Sequence, residues 1–132
     1  MKYFLIFFMA VFAFAQEPII NGTWSYTGHA GEALVYTDLS RIQLDPDYDA
    51  VTVWISVAIP GEDQITFQKW AFCDKGKKWA LIESQVLAGK EGKEIDHNSF
   101  DPNWAMVKSG SVADHVRSKI RRFAAYIAKH PN

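Results

Sequence analysis

Ser111-Val112-Ala113-Asp114-His115-Val116-Arg117-Ser118-Lys119-Ile120-Arg121-Arg122-Phe123-Ala124-Ala125-Tyr126-Ile127-Ala128 is the stretch on which the fold turns. Its apolar residues Val112, Val116, Ile120, Phe123 and Ile127 recur at spacings of four, four, three and four, the period of a single helix face. Ser111 stands where an N-cap belongs, and Asp114 three residues on favours the first turn. Lys129 and His130 lie near the other end, where cations complement the helix dipole, and Pro131 stops the helix. A lone helix of this length is marginal in water, while burying each of its apolar side chains is worth on the order of 1.5 to 3 kcal/mol. The helix must therefore dock, and a sheet face is the surface to dock on.

Working outward, the chain before this helix reads as strands. Val51-Thr52-Val53-Trp54-Ile55-Ser56-Val57 is the most β-prone segment, with Val51, Val53, Ile55 and Val57 on one face and Thr52, Trp54 and Ser56 on the other. Upstream lie short runs at Thr23–Tyr26 and Leu34–Thr37, a weaker one at Arg41–Leu44, and the turn-rich Asp45-Pro46-Asp47-Tyr48-Asp49. Downstream, Ile65–Cys73 and Trp79–Val86 flank the turn Asp74-Lys75-Gly76-Lys77 as an antiparallel hairpin. Phe67 and Trp70 cannot share a face of a regular strand, so either a bulge intervenes or both faces are partly covered. Gly89–Glu94 reads as a charged loop or hairpin end, and Asn98–Asn103 as irregular. The expectation is an α+β fold: an antiparallel sheet of about five to six strands with a C-terminal α-helix packed on it.

At the other end, Lys2 precedes an apolar run from Tyr3 to Phe12, closed by Ala13-Phe14-Ala15. This is the pattern of a secretory signal peptide over residues 1–15, cut between Ala15 and Gln16. The run falls short of the ~20 residues a bilayer-spanning helix needs; an uncleaved N-terminal anchor is the competing reading. The remaining 117 of 132 residues (16–132) suit one domain. Cleavage takes only Lys2 from the 14 basic residues, leaving 13 against 15 acidic ones and a net charge of −2, which calls for neither nucleic acid nor an anionic membrane. Cys73 is the only cysteine, so the chain makes no internal disulfide; a packed thiol and an intermolecular bridge both stay open.

No catalytic or metal motif emerges. Asp45–Asp49 alternates carboxylates like a calcium loop, but Ala50 and Ser56 stand where that loop needs glycine and a bidentate acid. His29, His97, His115 and His130 are too scattered for a zinc site. No G-x-S-x-G elbow occurs, and Gly89–Lys93 fails the phosphate-loop pattern, since Leu87 replaces its first glycine. Nothing singles out a catalytic pair among Glu32, Asp38, Glu83 and Asp96. The chain is thus read as non-enzymatic, with no cofactor. Its surface candidates are Trp54 and Trp70, the lysine-rich turn Lys75, Lys77 and Lys78, and the helix arginines Arg117 and Arg121.

In order, Trp24; Val35-Tyr36-x-Asp38 followed by Arg41-Ile42; Val53-Trp54; Phe72-Cys73; and Trp104 before Gly110-Ser111 and an apolar helix resemble the surface-adhesin protein E family of small exported bacterial domains. The resemblance spans most of residues 16–132, and its ending is the most specific part. It implies an antiparallel sheet carrying a C-terminal helix, and an adhesin-like role in binding host matrix or envelope proteins. The chain departs from the pattern in lacking a lipidation cysteine, in having Ser109 before Gly-Ser, and in lacking a helix cysteine to pair with Cys73.

The reading is a binding module, periplasmic or secreted, without a permanent membrane anchor, that recognises another protein or a second copy of itself. The alternative is a carrier holding a small apolar ligand between sheet and helix, lined by the 14% of residues that are aromatic.

Overall fold

Val51–Val57 lies within one of the two middle strands of a six-stranded meander that is antiparallel throughout. The computed structural model describes residues 24–129 and, within 126–128, the backbone alone. The expected signal segment, its cleavage point at Ala15 and Gln16, and the side chain of Ile127 lie outside the described residues. Strands β1 (Trp24–Ala30), β2 (Ala33–Asp45), β3 (Ala50–Ala58), β4 (Gln64–Cys73), β5 (Lys78–Ala88) and β6 (Lys93–Ser99) pair in sequence order. The two-residue β7 (Ala105–Met106) pairs with the start of β5, beyond the reach of β6. Helix α1 (Val112–Lys129) closes the fold.

Residues paired across strands share a face, so the register sorts the side chains. Val51, Val53, Ile55 and Val57 oppose Phe72, Trp70, Gln68 and Thr66, while Thr37 and Val35 oppose Ile55 and Val57. This is the helix-covered face. Its core joins Val35, Val53, Ile55, Trp70 and Phe72 to Ala113 and Val116 of α1, with Val112, Ile120, Ile42, Val107, Trp79 and Leu81 packed around them. Val53, Ile55 and Val116 are 0% exposed. The helix stripe thus docks as its period demands, although Phe123 is only half-buried.

The helix start is capped from both directions. Ser111 Oγ accepts from Asp114 N at 3.2 Å, and Asp114 Oδ2 accepts from Gly110 N at 2.9 Å, which satisfies two amides at the helix entry. Lys119 Nζ donates to Ser25 Oγ of β1 at 2.5 Å, tying the helix to the first strand. Burial, and then the nearby charge of Arg122, push the Lys119 amine below the usual lysine range.

Two expected strands, at Leu34–Thr37 and Arg41–Leu44, are one strand with an outward loop. The pairing of β2 with β3 jumps from Asp38↔Trp54 to Gln43↔Thr52, leaving four residues of β2 opposite one of β3. Of the two alternatives posed by Phe67 and Trp70, cover on both faces holds: β4 pairs with β3 without a bulge, the two side chains lie on opposite faces with Phe67 half-buried and Trp70 buried, and the bulge nearby, at Ile82, is in β5. The expected loop at Gly89–Glu94 ends in β6, which is exposed along its whole length and runs through the start of the expected irregular segment.

Candidate functional site

The helix-free face falls into two parts. At the end near Cys73, the small residues Ala50, Ala71 and Ala80, together with Ile82, form a patch on which Trp104 and Cys73 pack. The Tyr48 ring meets Trp104 edge-on at 6.5 Å. Three alanines leave room for the indole, which is why a connection without regular structure crosses back over the sheet here. Cys73 is half-buried and free, and burial pushes its thiol up, which disfavours the reactive thiolate.

At the other end of this face, the aromatic side chains other than the buried Tyr36 are only partly covered. Trp24 opposes Asp38, which in turn opposes Trp54; Tyr26 opposes Tyr36; and Phe67 opposes Ser56. Trp24 and Phe67 lie 5.7 Å apart, and Tyr26 meets Tyr36 edge-on at 5.6 Å. Trp24, Trp54 and Phe67 are half-buried, and Tyr26 is exposed.

Arg41 organises this cluster. The carboxylate of Asp38 accepts from Ser40 N at 2.9 Å, from Ser40 Oγ at 2.6 Å and from Arg41 Nε at 2.7 Å, so the outward loop is folded onto its own first residue. The loop thereby carries the guanidinium over Trp54 at 5.4 Å and Trp24 at 5.9 Å. Asp38 is buried, its side chain 4% exposed, whereas the Arg41 side chain remains 50% exposed. Each cation–ring contact is worth about 0.5 to 1 kcal/mol at such a half-wet site. Their larger effect is to hold a long side chain in one place before any partner arrives. Beyond Trp54, the same face continues through Lys69, directly opposite it, to Glu83 and His97. His97 Nε2 lies 2.7 Å from Glu83 Oε2; that bond, with the charges of Glu94, Glu83 and Asp96, raises the His97 pKa despite partial desolvation.

The sequence candidates scatter around this frame. Trp54 belongs to the cluster. Trp70, expected beside it, is on the opposite face: it is 7% exposed, packs at a tilt against Trp79 with ring centroids 4.6 Å apart, and donates its indole N–H to Gln68 Oε1 at 2.8 Å. It is core, with its polar group satisfied internally. Arg117 donates Nη1 to the Gly76 carbonyl at 2.9 Å and pairs with Asp114, while Arg121 donates to the Lys75 carbonyl at 3.2 Å. Both arginines strap α1 to the tip of the β4–β5 hairpin. Lys75, Lys77 and Lys78 are exposed at that tip, and Asp74 and the Asp45–Asp49 turn lie at the same end of the sheet. That end therefore presents mixed charge.

Trp24, Asp38, Arg41 and Phe67 were not among the sequence candidates. The available signal was Asp38-x-x-Arg41 interrupting a strand beside two tryptophans, with a carboxylate placed to aim a guanidinium. Among the described residues, no three His, Cys, Asp or Glu side chains are grouped to hold a metal ion, and no helix is long and apolar enough to cross a membrane. Comparison of the chain with family models, curated proteins and solved structures returned no match.

Proposed function

We propose that this chain is an exported, non-enzymatic binding module that recognises another protein through the helix-free face. The observation that carries the reading is the Asp38-anchored Arg41 seated over Trp54 and Trp24 on a surface left half-open. Tryptophan and arginine are the side chains most enriched where truncation costs binding energy, and a cluster fixed in advance loses little entropy on docking. The opposite face is filled by α1 and the core beneath it, which leaves the aromatic end of the helix-free face as the sheet surface that stays partly open among the described residues. Export rests on the pattern of residues 1–15, and an adhesin-like role on the resemblance alone.

Site-directed photocrosslinking in living cells tests the reading. A photoreactive phenylalanine analogue at position 67, within the cluster, should trap a discrete protein, whereas the same analogue at the exposed Lys90 should not. Equal trapping from both positions, or trapping from position 90 alone, would overturn the proposal. Mass analysis of the recovered chain checks export, since a mature N-terminus at Gln16 is expected.

A further inference from the structure

We infer that the cluster reads an acidic segment of its partner: an Asp or Glu side-chain carboxylate docks against the outer edge of the Arg41 guanidinium, with Trp24 and Trp54 on either side and Lys69 supplying a second cation. The inference rests on the binding reading above and adds the chemistry of the occupant. Arg41 spends Nε on Asp38, and among the described residues its hydrogen bonds stop there, so the fork formed by its two terminal nitrogens stays available. That fork matches a carboxylate with two parallel bonds. The indoles beside it exclude water and strengthen such a pairing relative to one in open solvent. Lys69 stands directly across the strand pair from Trp54 and makes no ion pair among the described residues; its neighbour on the other side, Glu83, is bonded to His97, so the Lys69 ammonium stays free to meet a partner's carboxylate.

Two other ligand chemistries fit less well. A sugar would stack on flat indole faces, but the guanidinium already lies over both rings. A chain-terminal carboxylate is ordinarily captured by a nest of backbone N–H groups, and the amide of Ser40, next to Arg41, is already donated to Asp38. A side-chain carboxylate borne on an extended segment needs only the guanidinium edge and the apolar walls.

The test pans a phage-displayed library of random peptides against the purified full chain, then measures the selected peptides, labelled with fluorescein, by anisotropy. Acidic residues should be enriched, with affinity falling as salt is raised. Arg41→Lys keeps a charge beside Asp38 but loses the fork, and should weaken binding about tenfold. Lys69→Gln, which leaves the bonds of Ser40 and Arg41 to Asp38 in place, should weaken it by about threefold through the lost charge, so the test survives should Arg41→Lys disturb the fold. Acid-free peptides that need Trp54 but ignore Arg41→Lys and Lys69→Gln would overturn the acidic occupant and leave the binding face standing. No enrichment, or peptides indifferent to Trp54→Ala, would overturn both.

Discussion

Val116→Ala probes the docking of α1 at its most buried point. Val116 is 0% exposed and packs within the core that joins Val35, Val53, Ile55 and Trp70 to the helix. Removing two methyl groups loses about 1.6 kcal/mol of transfer free energy at ~0.8 kcal/mol per buried carbon. A residual cavity raises this to about 2 to 3 kcal/mol, because strands on one side and a capped helix on the other allow little collapse. Alanine is the better helix former by at most about 0.7 kcal/mol, so the net loss should be about 2 kcal/mol. Urea denaturation followed by far-ultraviolet circular dichroism measures it, with a midpoint shift at unchanged slope as the sign of lost stability alone. Arg122→Ala, on the exposed side of the same helix, should stay within about 0.5 kcal/mol of the parent. Equal effects from the two substitutions would refute the docking argument, because burial would then make no difference along α1.

Three further outcomes follow from particular contacts. Ser111→Ala, which removes the hydroxyl that accepts from Asp114 N, should cost about 1 kcal/mol in the same denaturation assay. Gly76→Ala should cost more than Gly61→Ala: both sit at positive φ, but a Cβ at Gly76 would meet Arg117 Cδ at 3.0 Å, and one at Gly61 meets open space. His97 should titrate above the ordinary 6.5, chiefly because Glu83 bonds its ring, and Glu83→Gln should bring the midpoint down when followed by NMR. Since the folded-state value is the raised one, the support from this pair is complete below about pH 6.5 and is lost as pH climbs through the folded-state midpoint.

The parts of the fold with a one-sided environment were legible in the residues. Helix α1 announces itself because only one stripe is apolar, and β3 because its valines and Ile55 alternate with Thr52, Trp54 and Ser56. Lys93–Ser99 carries no such mark. Every residue of β6 is exposed, and what makes it a strand is pairing with β5, a long-range contact that leaves no period in Lys-Glu-Ile-Asp-His-Asn-Ser. Trp70 misled for a related reason, since alternation assigns it a face but not which face the helix will cover. Thr52 and Ser56 are buried as well as Val53 and Ile55, so β3 is covered on both faces and only the larger Trp54 reaches out of its polar side. The Arg41 cluster depends on a loop folding back onto Asp38, a tertiary event that strand propensity does not encode.

Whether a partner docks on the helix-free face is measured most directly by the N–H correlation spectrum of the indoles, recorded as the protein trapped from position 67 is added to the chain. Signals of Trp24 and Trp54 should move on binding, while those of Trp70 and Trp79, packed in the helix-covered core, stay in place. Saturable binding with Trp24 and Trp54 unmoved would contradict the assignment of this face.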